Sequence, residues 1–396
     1  MEPALIVIPL LAVLAPILVR AAGRFVAVPL VVFELVLGIV AGPSVLGWAE
    51  QSAFVDRLSD FGVAMLFFVA GSELEFGELR GRTGIRAIGG WIVSLALGIG
   101  MGLLLAPGEA GVIVGIALCS TALGTILPIL RDADELRTPF GRVVGAIGAV
   151  GEFGPLLAIS VFLGGREPGV ETLVLLAFVV LAVVAIVLAM RMPHHQMHGL
   201  VTATLRTSSQ FAIRVLFLVL AALVSLSVML DLDMLLGAMT AGIVWRLLMR
   251  DAAPQDRVAV ESKVEAVAFG FLIPVFFIYA GVTFDLTALL DEPLLLLLLP
   301  VGLIVLVVVR GIPSMFAAPA GATMRDRAAI GLFGATGLPV IVAVTAIGVD
   351  KGMITTQTAA LLVGIGMLSV LVFPLVAMGL RSRAPRRLPE ERQAIA

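Results

Sequence analysis

The chain has 396 residues, of which 60% are hydrophobic and 14% charged, more apolar surface than a water-soluble domain can enclose. A formal charge of −2 leaves no cationic surface of the kind nucleic acids require, and a single cysteine, Cys119, cannot form an intrachain disulfide. The apolar runs are long and lack the ten-residue alternation of a membrane barrel, so spanning helices satisfy the backbone.

In chain order, helices are predicted over 4–19, 28–42, 58–72, 84–106, 111–130, 141–163, 171–190, 211–229, 233–249, 264–281, 294–318, 327–347 and 356–380, about thirteen spans of ~20 residues each. The opening Met1-Glu2-Pro3-Ala4-Leu5 has no basic stretch, so the first run reads as a retained helix. Lys and Arg collect on the connections from odd to even helices and on the tail: 22 of the 26 lie there. Arg57, Arg166 and Lys351 fall on the other face, and Arg310 falls deep inside the eleventh helix. The positive-inside rule therefore places the amino end outside and the carboxyl end in the cytoplasm.

The sequence also repeats. Glu34-Leu-Val-Leu-Gly38 with Ala41-Gly42 matches Asp233-Met-Leu-Leu-Gly237 with Ala241-Gly242. Phe67-Phe68-Val-Ala-Gly71 before Glu75 matches Phe276-Phe277-Ile-Tyr-Ala-Gly281 before Asp285. The two sets lie an odd number of spans apart, so helices 2–7 and 8–13 form an inverted repeat, an arrangement typical of secondary transporters.

Two equivalent helices carry helix-breaking sequences. The fifth holds Cys119-Ser120-Thr121-Ala122-Leu123-Gly124-Thr125 with Pro128, and the twelfth holds Gly334-Ala335-Thr336-Gly337-Leu338-Pro339. Backbone freed inside a membrane has to line a cavity or a site, and half-helix ends supply partial charges for ions; ordinary small-residue packing is the plainer reading. Cys119 itself reads as a small core residue.

Glu152 stands mid-helix in Gly151-Glu152-Phe153-Gly154-Pro155, with no other ionisable residue between Arg142 and Arg166. A carboxyl at that depth persists where it faces a wet cavity or a partner, and there it can trade a proton for a cation. Arg310 keeps its charge and needs compensation by a carboxylate, by helix carbonyl ends or by both. Glu152 is the first expected partner, with Glu34 and Asp60 as rivals. Glu34 and Asp60 otherwise fit either an ion funnel or an interface. Glu73, Glu75, Asp231, Asp233 and Asp285 fall near helix ends, where charge costs little. His194, His195 and His198 share the connection after the seventh helix with Arg191, Arg206 and Arg214 and read as a solvated surface linker. No phosphate loop, nucleophile elbow or metal-ligand cluster is present, so the chain is not expected to be an enzyme and no cofactor is implied.

These residues resemble the bacterial monovalent cation:proton antiporters of the Kef type, related in fold to the sodium/proton antiporters, over essentially the whole chain. The resemblance rests on Phe33-Glu34-Leu-Val-Leu-Gly38 with Ala41-Gly42-Pro43, Phe61-Gly-Val-Ala-Met-Leu-Phe-Phe68 with Gly71-Ser-Glu-Leu-Glu75, Ser120-Thr121-Ala122, Arg137-Thr-Pro-Phe-Gly141-Arg142, and Ile273-Pro-Val-Phe-Phe277 with Gly281. It implies thirteen helices, with a core domain built on crossed, broken helices five and twelve that moves against a dimerisation domain. It also implies that Glu152 takes the place of the family's ion-binding Asp, although Gly151 stands where that family usually has Asp, Asn or Gln. Arg310 matches the family's basic residue of helix eleven. Many Kef-type relatives continue into a nucleotide-binding regulatory domain. Residues 381–396 form a short basic tail after the transmembrane unit of 1–380, so such regulation would come from a separate subunit.

The expectation is an all-α, multi-pass protein of the bacterial inner membrane, a homodimer exchanging H+ for Na+ or K+. Glu152 would be the shared proton and cation site, with Ser120, Thr121 and Thr336 completing the coordination. Two other classes accommodate the same features: a symporter of organic anions that meet Arg310, and a transport-silent subunit or sensor.

Overall fold

The computed structural model describes residues 4–22, 29–74, 81–163, 168–191, 210–250, 252–291 and 293–382. Glu75, the three histidines with Arg206, and the tail beyond Ser382 lie outside the described residues. In chain order the principal helices are α1 Ala4–Ala22, α2 Leu30–Ala41, α3 Ala53–Glu73, α4 Gly81–Leu105, α5 Glu109–Leu118, α6 Leu123–Asp132, α7 Pro139–Phe162, α8 Pro168–Arg191, α9 Phe211–Met229, α10 Met234–Leu248, α11 Pro254–Val267, α12 Ile273–Val282, α13 Pro293–Leu306, α14 Met324–Gly334, α15 Pro339–Asp350 and α16 Thr356–Ser382. Among the described residues nine helical segments are long and apolar enough to cross a membrane, accompanied by the shorter apolar helices Leu30–Ala41, Thr172–Val184 and Met234–Leu248.

Apolar side chains at the periphery point outward, as they do where lipid replaces water. Ile6 and Val13 of α1, Leu173 of α8 and Leu294 and Leu297 of α13 are exposed. The centre belongs to α7. Thr138 caps its first turn by accepting from the Gly141 amide at 3.1 Å, Pro139 occupies a position that needs no donor, and small residues at 141, 145, 148, 151 and 154 let its neighbours approach closely.

The packing of four helices carries the signature of the internal repeat. In α2, Gly38 lies against the Ile278 carbonyl of α12, and in α12, Gly281 lies against the Leu35 carbonyl of α2. In α3, Gly71 lies against the Met239 carbonyl of α10, and in α10, Gly242 lies against the Phe68 carbonyl of α3. The second member of each repeat thus packs on the first member of the other, the exchange that an inverted repeat produces.

One boundary differs from expectation. The helix predicted from 264 starts ten residues earlier, at Pro254. Hydropathy registers only its apolar half; the polar half is held by Pro254 at its first turn and by the Arg257–Glu261 pair at 2.7 Å, spaced i, i+4. Arg257 and Lys263 therefore ride on a helix rather than in a loop. Arg381, expected at the start of the tail, belongs to α16. Its guanidinium donates to Asp326 at 2.6 Å and to Glu135 at 2.8 Å and lies 4.3 Å from the Phe140 ring centre, tying three connections together at one end of the bundle.

The bland reading of the helix-end carboxylates is met at Asp233 and Asp285. Asp233 accepts from the Leu235 amide at 2.8 Å. Asp285 accepts from the Ala288 amide at 3.0 Å and from the Thr287 hydroxyl at 2.7 Å, and these bonds, the amide first, hold its carboxyl below the usual range.

Candidate functional site

Both predicted interruptions are present. The first half-helix α5 stops at Leu118 and α6 starts at Leu123; α14 stops at Gly334 and α15 starts at Pro339. Cys119 and Ser120, like Ala335 and Thr336, still donate back into their own half-helix, but beyond them the chain turns to other segments. Ala122 donates its amide to the Thr336 carbonyl at 2.7 Å, and Thr121 donates its amide to the Gly151 carbonyl at 2.9 Å. The Thr121 hydroxyl donates to the Gly334 carbonyl at 2.5 Å, and the Gly337 amide donates to Ser369 Oγ of α16 at 3.2 Å. The two breaks therefore meet, and α7 runs past their meeting point.

Arg310 reaches this point from a π-turn over Val307–Gly311, where the chain between α13 and Pro313 is wound one residue wider. It is fully buried. Its Nε donates to Thr121 Oγ1 at 2.9 Å and its Nη2 donates to the Ile147 carbonyl of α7 at 2.9 Å. The expected carboxylate partners are not found: among the described residues no ion pair joins Arg310 to Glu152, Glu34 or Asp60. The guanidinium is instead satisfied by neutral acceptors, the Thr121 hydroxyl at the first break and the mid-helix Ile147 carbonyl of α7, which a buried arginine can use in place of a carboxylate.

Glu152 is 3% exposed and directly follows Gly151, against which Arg310 packs. Its carboxyl faces the backbone amide of Leu123, the first residue of half-helix α6. A carboxylate at a helix N-terminus gains from the aligned amides. The other predicted ligands gather at the same breaks, with their hydroxyls engaged: Ser120 Oγ donates to the Ala117 carbonyl at 2.8 Å and Thr336 Oγ1 to the Leu332 carbonyl at 3.0 Å. Their lone pairs, like the break carbonyls, stay available to a cation. Glu34, buried in α2, and Asp60, exposed on α3 near Asp56 and Asp350, are not brought to the breaks. Cys119 is buried with its Sγ donating to the Ile116 carbonyl at 3.2 Å, as a core residue does.

Sequence reasoning left Gly151 as an unexplained departure, and the structure supplies the reason. A Cβ there would lie 2.5 Å from Arg310 Nη2 and 2.6 Å from Thr121 Cβ, so the space a polar side chain would occupy is already filled. Gly151→Ala is expected to lower stability by about 1–3 kcal/mol, read as a drop in melting temperature in detergent; an unchanged melt would contradict the close packing.

A cavity of about 660 Å³ is lined by Leu123, Ala149 and Phe68, neighbours of Glu152 or of its half-helix, together with Arg131, Arg137, Arg142, Arg246 and Arg257 and with Glu73, Glu261 and Glu265. Each of these arginines belongs to the Lys/Arg-rich side of the chain. The π-turn at Arg310 and the charged cavity escaped the sequence reading, since neither leaves a local pattern.

Comparison with known proteins matches residues 10–378 to the family described as sodium/hydrogen exchanger, transmembrane. YjbQ of Bacillus subtilis is 25% identical over 99% of this chain and 64% of its own length. The Na+/H+-K+ antiporter GerN of Bacillus cereus is 30% identical over 65% of this chain and 66% of its own, so the chain spans about two thirds of the length of these relatives. A Na+/H+ antiporter of Enterococcus hirae is 25% identical over 89% of this chain and 92% of its own. The solved structure of a sodium/proton antiporter, MjNhaP1 from Methanocaldococcus jannaschii, superposes with a TM-score of 0.66 at 16% identity, covering 95% of this chain and 98% of that one, which shows a shared fold.

Proposed function

The chain belongs to the sodium/hydrogen exchanger family, and on that premise we propose that it is a secondary active antiporter exchanging protons for Na+ or K+ across the bacterial inner membrane. The observation that carries the reading is the buried carboxyl of Glu152 facing the half-helix amide of Leu123, a residue that lines the charged cavity. A carboxyl so placed holds one ligand at a time. Protonated, it is neutral; ionised, it takes a monovalent cation, with carbonyls and the hydroxyls of Ser120, Thr121 and Thr336 replacing part of the hydration shell. Arg310 stays out of this competition. It fixes the crossing of the breaks by holding Thr121 to the Ile147 carbonyl of α7, a positioning role.

Alternating access supplies the coupling: a core containing α5, α6, α7, α14 and α15 moves against the remaining helices, exposing Glu152 to one side and then the other. The cavity then belongs to the cytoplasmic side, together with the carboxyl end of α16, and the amino end is outside. A homodimer supports the motion. GerN is named for both Na+ and K+, so both are proposed as substrates.

The test is a pH-sensitive dye in proteoliposomes holding a proton gradient, with Na+, Li+ or K+ added in turn. A cation-specific collapse of the gradient is expected. No response to any of them from well-reconstituted protein across pH 6 to 9 would overturn exchange, and collapse by organic anions instead would make the chain a symporter.

A further inference from the structure

The cavity poses a problem for a cation pathway. Five arginines and three glutamates surround it, so a cation entering from that side meets net positive charge, and field lines focused by the low-dielectric walls make the repulsion felt. The arginines there follow from membrane topology. The carboxylates do not, and they are not equivalent. Glu261 is exposed and paired with Arg257 at 2.7 Å, and Glu265 is exposed on the same helix. Glu73 differs. It is the last residue of α3, half-buried, and it lines the cavity beside Ser72, whose carbonyl accepts from Arg246 at 3.0 Å.

Its position relative to the deep site matters most. Glu152 does not itself line the cavity, but Leu123, whose amide its carboxyl faces, and Ala149, one turn earlier on α7, both do. Glu73 lines the same cavity and lies within electrostatic reach of Glu152, of Arg131 and Arg246, and of Glu261 and Glu265. It is the half-buried carboxylate that adjoins both the arginines and the deep site.

We propose that Glu73 is a staging residue for the transported monovalent cation, holding it in the arginine-lined cavity before it passes to Glu152 and after it leaves. The role rests on the antiport reading above. Arg131 and Arg246 lie close enough to neutralise Glu73 when no cation is there, so the incoming ion displaces guanidinium rather than meeting an uncompensated charge. The site is sided, because the cavity opens on one face.

Sidedness gives the test. Exchange is measured in membrane vesicles of both orientations at graded Na+ and K+, for wild type, Glu73→Gln and Glu73→Asp, with monodispersity and melting temperature recorded for each. Glu73→Gln is expected to raise the cation concentration for half-maximal exchange about tenfold at the arginine-rich face. The opposite face and the maximal rate should change little, and Glu73→Asp should recover most of the affinity. An active wild type whose Glu73→Gln variant shows no shift, or an equal shift at both faces, overturns the staging role alone. If Glu73→Gln fails to fold, Glu73→Asp decides: a shift confined to the arginine-rich face supports the role, and its absence rejects it. A wild type that exchanges nothing overturns antiport itself and the staging role with it.

Discussion

Glu152→Gln is expected to reduce cation-driven proton movement to the level of empty liposomes while the protein folds and melts as wild type does. The amide keeps the volume and still accepts from the Leu123 amide, so the packing of α6 on α7 is preserved. What disappears is the capacity to carry a proton in one state and a negative charge in the other, and without both states no exchange is possible. Glu152→Asp keeps the chemistry but withdraws the carboxyl by one methylene from the half-helix amides, so it should retain exchange at reduced cation affinity. The pH-dye assay reads both variants. Exchange retained in full by Glu152→Gln would remove Glu152 from the site, and the next carboxylate to test would be Glu73.

Arg310→Ala is expected to cost about 2–5 kcal/mol of stability as well as all exchange. Truncation empties a fully buried volume and leaves Thr121 Oγ1 and the Ile147 carbonyl without their donors. The crossing of the breaks loses the one side chain that joins α7 to Thr121, so the loss spreads to the neighbouring backbone bonds. Arg310→Lys keeps the charge but lacks the fork that reaches both acceptors, and should fall between wild type and Ala. Thermal unfolding in detergent separates these outcomes. An Arg310→Ala protein that melts and transports like wild type would show that the guanidinium bonds contribute nothing.

Arg310 also shows how reading by charge alone misleads. A basic residue deep in the membrane asks for a carboxylate, and Glu152 is the natural choice in a linear sequence. Both groups do lie at the same crossing of helices. They take different partners there: the arginine bonds the Thr121 hydroxyl and the Ile147 carbonyl of α7, whereas the carboxyl faces the amide that opens half-helix α6. Gly151, one residue earlier, had no explanation in sequence because the atoms that exclude a side chain there come from residues 30 and 159 positions away, Thr121 and Arg310.

Much was legible without coordinates because the membrane simplifies the problem. Lipid demands internally bonded backbone, so long apolar runs have to be helices, and the interruptions at Ser120–Ala122 and Ala335–Leu338 are visible in glycine, proline and hydroxyl residues. Short matches such as Glu34–Gly38 with Asp233–Gly237 revealed the repeat. Hydropathy was blind where a helix leaves the apolar layer, and so the start at Pro254 was missed. Only the tertiary structure decided which residues meet: that the two breaks bond to each other, that Arg310 enters on a π-turn, that Glu152 faces Leu123, and that Glu73 lines an arginine-rich cavity within electrostatic reach of it. Sequence determines the local bonding each segment can satisfy, whereas partners at a crossing are selected by close approach and unpaired backbone charge from distant segments.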